Sequence, residues 1–127
     1  MWMASQAQRN GRRHRDHVVA LTRLFIEAVN ARDLEATRAL VSDDVEFRGS
    51  RGSSLRGHAA VGEVLETVAH FDLLLVRVGV EQLEEHEDVT RVTVPVREIV
   101  GKDELFRTAA FEICHGAISS YETLPNE

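Results

Sequence analysis

Apolar residues recur every three or four positions in the first half of the chain and every second position after His70. Val18, Leu21, Leu24, Phe25, Ala28 and Val29 make one broad stripe, which predicts a helix from about Asp16 to Arg32. Asp33 is placed to cap a short second helix, Leu34 to Val41, in which Leu34, Thr37 and Val41 share a face. The Asn30-Ala31-Arg32-Asp33 joint makes the pair a helical hairpin or sharp elbow. Asp43 to Arg48 alternates as a short strand, and Gly49 to Ser54 is turn-rich. Gly57 opens a third helix, with Val61, Val64, Leu65 and Val68 on its core face.

Period two then predicts long strands at about Phe71–Leu83, Val89–Val100, Leu105–Cys114 and Ala117–Leu124. The joints between them are short enough for hairpins, so these strands form an antiparallel meander. Helices first and strands after is the α+β order. Val92, Val94 and Val96 share one face of their strand, and Arg91, Thr93, Pro95 and Arg97 the other. In the next strand Leu105, Ala109, Phe111 and Ile113 face the core. Pro95 lacks a ladder donor, which predicts an edge or a bulge there, and a bulge would reverse every later facing. Leu74, Val76, Val78 and Val80 alternate with Phe71, Leu73 and Leu75, so that strand is expected to be covered on both sides. Helices cover one side only. A second copy of the chain on the outer sheet face, near Phe106, Ala110 and Cys114, is the expected cover for the other.

Composition narrows the class without naming a function. At 127 residues, 43% hydrophobic and 28% charged, the chain is an ordinary globular domain that needs no disulfide or metal staple. The net charge of −6 argues against nucleic acid as a partner. Arg9, Arg12, Arg13 and Arg15 make residues 1–15 basic, read as a flexible arm ahead of a single domain over 16–127. Cys114 is the only cysteine, and no apolar leader or membrane-length run is present, which together predict a cytoplasmic protein with no membrane partner.

Several segments in order carry a resemblance that covers nearly the whole chain. They are Asn30-Ala31-Arg32-Asp33-Leu34, Asp43-Asp44-Val45-Glu46-Phe47, Leu55-Arg56-Gly57, and Phe111 to Ile118. In this order the chain resembles the SnoaL-like and nuclear-transport-factor-2-like superfamily, which includes ketosteroid isomerase and limonene-1,2-epoxide hydrolase. The resemblance implies a curved antiparallel sheet, a cone or α+β barrel, packed on three helices around a pocket for a small molecule. It also suggests a homodimer. The isomerase's base and oxyanion pair align with Gly49, Phe25 and Ala109, and the hydrolase's water-holding array with Phe47, Gly49, Val94, Val96 and Thr123. None of these supplies the family chemistry. Fold alone assigns no reaction.

The remaining polar candidates are few. Ser119, Tyr121 and Thr123 face the expected pocket if the last strand keeps the family's register. Tyr121 either donates to a ligand carbonyl or is a core tyrosine bonded to backbone. Glu98 continues the Val92–Val96 row, as a general acid or base against apolar walls or as a rim carboxylate. Arg107 shares a face with Ala109, either to bind an anionic group or as a solvated strand-end residue. Tyr121 and Glu98 are thus the catalytic candidates. Phe25, Phe47, Val94, Val96, Arg107, Ala109, Phe111, Ser119 and Thr123 are the ligand-binding candidates. His14 and His17 lie one helical turn apart but have no third ligand, and no loop cradles a phosphate, so neither metal nor cofactor is expected. The reading is a pocket that binds a small apolar or amphipathic ligand, with catalysis left open. The alternative is a non-catalytic interaction module that uses the outer sheet face.

Overall fold

The computed structural model describes residues 2–49 and 52–125, with side chains from residue 11 onward. Helix α1 (Trp2–Asn30) leads into α2 (Leu34–Leu40), β1 (Val41–Arg48), β2 (Ser54–Arg56) and α3 (His58–His70). Strands β3 (Leu73–Arg77), β4 (Gln82–His86), β5 (Val89–Val100), β6 (Asp103–Cys114) and β7 (Ala117–Pro125) complete the chain. The first helix begins well before Asp16 and runs through the basic stretch assigned to an arm. The elbow after it forms as the sequence dictates: Asp33 accepts from the Ala36 N–H at 3.0 Å, and Arg32 takes the left-handed conformation that ends α1.

The sheet is curved, open and seven-stranded, in the order β2-β1-β7-β6-β5-β3, with β4 also on β5. The β5–β6–β7 meander is antiparallel, while β1 pairs with β7 in parallel, so the sheet as a whole is mixed. The single strand expected over Phe71–Leu83 is two strands, because β3 pairs with Val96–Val100 of β5 and β4 with Val89–Thr93. Pro95 explains the break. It has no N–H for a lateral neighbour, and it sits where the neighbour changes from β4 to β3. The connecting segment crosses there, with the Val78 N–H donating to the Pro95 carbonyl at 2.9 Å. Gly79 lies on the proline ring so closely that a Cβ would overlap the Pro95 side chain. No bulge forms at Pro95, and Val92, Val94 and Val96 all stay in the core.

A bulge does occur in β7. Glu112 pairs with Ser120 while Ile113 pairs with Ile118, which leaves Ser119 as the extra residue. Ile118 and Tyr121, three positions apart, therefore both face inward. The core lies between the helices and this inner face, built on α1 residues Val18, Leu21, Phe25 and Val29 against Val92, Val94, Phe111 and Ile118. Leu105, expected in the core, is 42% exposed because β6 extends past the helices at that end.

Two polar devices fix α1 to the sheet edge. The Asn30 side-chain amide donates to the Leu75 carbonyl at 2.8 Å and accepts from the Leu75 N–H at 3.0 Å, acting as a one-residue strand on the free edge of β3. Arg23 forks onto Glu81 through two bonds of 2.7 and 3.0 Å, and Arg77 adds a contact at 3.6 Å. The Glu81 side chain keeps only 2% of its surface, and these guanidinium contacts hold its carboxyl below the ordinary carboxylate value.

On the outer face, one half is an ionic lattice. Arg48 meets Glu46, Glu122 and Glu112, Arg91 meets Glu112 and Glu122, and Arg56 meets Glu46. Arg97 pairs within the chain with Glu104 at 3.0 Å. Around that pair, Leu74 on β3 and Phe106 on β6 are exposed.

Candidate functional site

Core packing fails to close at one end of the inner face and leaves a cavity of about 260 Å³. Phe25 and Val29 of α1 form one wall, and Val64, Thr67 and Val68 of α3 form another. Leu73 and Leu75 of β3 line the sheet side, and Phe47 the β1 side. Gly49 and Ser53 to Leu55, around the β1–β2 connection, make the lip. Most of this surface is apolar. Arg48 from β1, Ser54 from β2, Glu98 from β5, and Tyr121 and Thr123 from β7 are the polar residues that the sheet contributes to it.

Tyr121 is set by an aromatic cluster. Its ring lies 4.9 Å from Phe25 and 5.0 Å from Phe111, and Phe25 meets Phe111 edge-on at 5.5 Å. Three rings in mutual contact leave the phenol little rotational freedom, so its hydroxyl direction is fixed before any ligand arrives. Burial, with the negative charge of Glu98 adding to it, holds the phenol above its ordinary pKa. Tyr121 is therefore a neutral donor. Among the described residues its hydroxyl meets no hydrogen-bond partner, which sets aside the backbone-bonded alternative.

Glu98 stands between Leu75 on β3 and Leu105 on β6 in the strand register, with its side chain 14% exposed. Arg107, one diagonal step away, brings its Nε to 3.8 Å from Oε1. That is an ion-pair distance but not a hydrogen bond. The Arg107 Nε is itself buried without a hydrogen-bond partner. Among the described residues nothing donates to the Glu98 carboxylate, so its acceptor positions remain open towards the cavity.

The other candidates separate by geometry. Phe25, Phe47 and Thr123 line the cavity with Tyr121 and Glu98. Val94, Val96, Ala109 and Phe111 do not: they are fully buried in the closed core behind it. Arg107 acts beside Glu98 and is not part of the wall. Ser119 is turned aside by the β7 bulge, and its hydroxyl donates to the Glu112 carbonyl at 3.1 Å. The lining from α3 and β3 was missed by sequence reasoning. Val64 and Val68 read as ordinary core positions, and only the gap left between elements turns core residues into a wall. His14 contacts Thr90 and Glu85 at 3.2 and 3.4 Å. Among the described residues no group of three or more His, Cys, Asp or Glu side chains is arranged to hold a metal, and no helix is long and apolar enough to cross a membrane.

The SnoaL-like domain profile matches residues 22–116. No curated protein matches the sequence. Many solved structures share the fold. A candidate polyketide cyclase from Xanthomonas campestris superposes with a TM-score of 0.70 at 20% identity, over 88% of this chain and 92% of that one. A candidate ketosteroid isomerase from Kribbella flavida gives 0.66 at 21% identity, over 88% and 80%. TerC, co-crystallised with polyporic acid, gives 0.64 at 17% identity, over 85% and 90%.

Proposed function

Since the chain belongs to the SnoaL-like domain family, we propose that its cavity binds a small, mainly apolar molecule with one polar end held by Tyr121 and Glu98. The observation that carries this reading is a preset phenol sharing one mainly apolar cavity with a carboxylate, neither of them hydrogen-bonded by any described residue. A ligand whose polar end bonds to both replaces water at these groups, at roughly 0.5–1.5 kcal/mol per neutral hydrogen bond and more for one to a charge. The cavity is at or just below the small end of the ~300–1,000 Å³ usual for small-molecule sites, which suits a one- or two-ring compound. TerC, which shares the fold, was co-crystallised with polyporic acid, which is in keeping with a ligand site in this fold. No reaction is carried over from the neighbours, which at this level of identity speak for the fold alone.

Thermal unfolding against steroids, polyketide fragments, terpene epoxides and fatty acids tests the proposal. A ligand at a hundred times its dissociation constant adds about 2.7 kcal/mol, a rise of several degrees for this size. A melting temperature unmoved by every compound would reject a ligand site in this cavity.

A second reading concerns partners. Leu74 and Phe106 stay exposed on the outer sheet face on either side of β5, with the Arg97–Glu104 pair and an ionic lattice of three arginines and three glutamates beside them, a face that does not repel a copy of itself. These features support a homodimer through this face. Sedimentation is expected to give a dimer that Phe106→Glu dissociates, whereas a monomeric parent at micromolar concentration would refute it. A cytoplasmic location, suggested by the single cysteine, completes the proposal and is checked by cell fractionation.

A further inference from the structure

If the cavity binds as proposed, its polar end specifies more than polarity, and the ligand's chemistry can be read from the two groups there. An ionised carboxylate accepts hydrogen bonds and donates none. Arg107 lies 3.8 Å from the Glu98 carboxylate without occupying its acceptor positions through a hydrogen bond. Leu73 and Leu75 flank the carboxylate on the cavity wall, and neither side chain can donate to it. Tyr121 supplies the opposite half: a neutral hydroxyl, fixed by Phe25 and Phe111, close enough to sense the charge of Glu98 yet with no hydrogen bond to it. The two groups thus present a donor and an acceptor that do not satisfy each other.

From this juxtaposition we infer that the ligand carries an uncharged hydroxyl, an alcohol or phenol, seated between Tyr121 and Glu98. One hydroxyl completes both groups: its oxygen accepts from Tyr121, and its hydrogen is donated to Glu98. A carboxylic acid enters as an anion and meets the Glu98 charge in an apolar surround, so acids are rejected in spite of Arg107. An ether or ketone accepts from Tyr121 but leaves Glu98 unsatisfied, so it binds more weakly than the matching alcohol. Discrimination of this kind is strong because it is the site's own buried group that goes unpaired.

Three compounds on one two-ring skeleton separate these cases: 2-naphthol, 2-methoxynaphthalene and 2-naphthoate, titrated calorimetrically against the full chain. The naphthol is expected to bind about 10- to 100-fold more tightly than the methyl ether, the ratio for one hydrogen bond to a charged acceptor. Glu98→Leu is expected to erase that ratio by weakening the naphthol alone. Tyr121→Phe is expected to weaken naphthol and ether together, since both oxygens accept from the phenol. The comparison within the unaltered protein stands even if a variant fails to fold. Equal affinity for naphthol and ether overturns the hydroxyl inference while leaving the cavity as a binding site. Tightest binding by the naphthoate overturns it in favour of Arg107 as the handle. Failure of all three to bind, together with a flat thermal panel, rejects the binding reading and the inference with it.

Discussion

Asn30 offers the sharpest test of how the cavity's sheet wall is held. Its amide is the lateral partner of Leu75, the residue whose side chain faces the cavity and whose backbone lies on the free edge of β3. Asn30→Ala removes a donor and an acceptor at once, and Leu75, only 4% exposed as a residue, limits how readily water replaces them. Each unpaired backbone group costs about 1–3 kcal/mol. Partial hydration along the strand edge places the sum near the lower end, at about 2 kcal/mol. For a domain of this size that corresponds to a fall in Tm of roughly 6–10 °C. Asn30→Asp is no rescue, because its carboxylate still accepts from the Leu75 N–H but faces the carbonyl with a second negative oxygen. Urea denaturation gives the free energy, and amide exchange at Leu75 reports the local bond directly. A loss below about 0.5 kcal/mol, with Leu75 exchange unchanged, would show that the edge was hydrated all along and that Asn30 does not hold β3.

Three further outcomes are expected. Because Arg23 and Arg77 depress the Glu81 pKa in the folded state, the clamp's stability is complete above the ordinary value of 4.5 and is lost as pH falls through the lower folded value. The stability difference between the parent and Glu81→Gln, about 1–2 kcal/mol at neutral pH given that Arg23 is half exposed, should therefore shrink below pH 4.5, and a constant difference from pH 6 to 3 contradicts the clamp. Gly79→Ala forces a methyl into the Pro95 ring and should cost about 1–3 kcal/mol by chemical denaturation, whereas a neutral effect would mean that the crossing segment simply moves aside. Phe111→Ala, deep in the core beneath Tyr121, should lose about 3–5 kcal/mol. It should also free the tyrosine ring, seen as averaging of its NMR ring signals, and a ring that stays fixed would assign its orientation to Phe25 alone.

What the sequence determined by itself is what local spacing encodes. Stripes at 3.6 residues and alternation at 2 placed α1's core face, the Asp33 cap, α3 and the β5–β6–β7 meander, because burial on one side of a regular element writes its own period. The strand break at Pro95 was legible as an irregularity but not in kind: a missing N–H says that no neighbour bonds there, not whether the strand bulges or its neighbour changes. The Ser119 bulge left no mark in the sequence, since Ile118, Ser119 and Tyr121 read equally well in either register, and only pairing with β6 decided it. The parallel contact of β1 with β7 joins strands far apart in the chain, Phe47 to Tyr121 for example, beyond any local period. The cavity is the furthest from the sequence. Phe25, Val64 and Leu75 carry the pattern of core residues, and they become a binding surface only because α1, α3 and β3 meet there without filling the space between them.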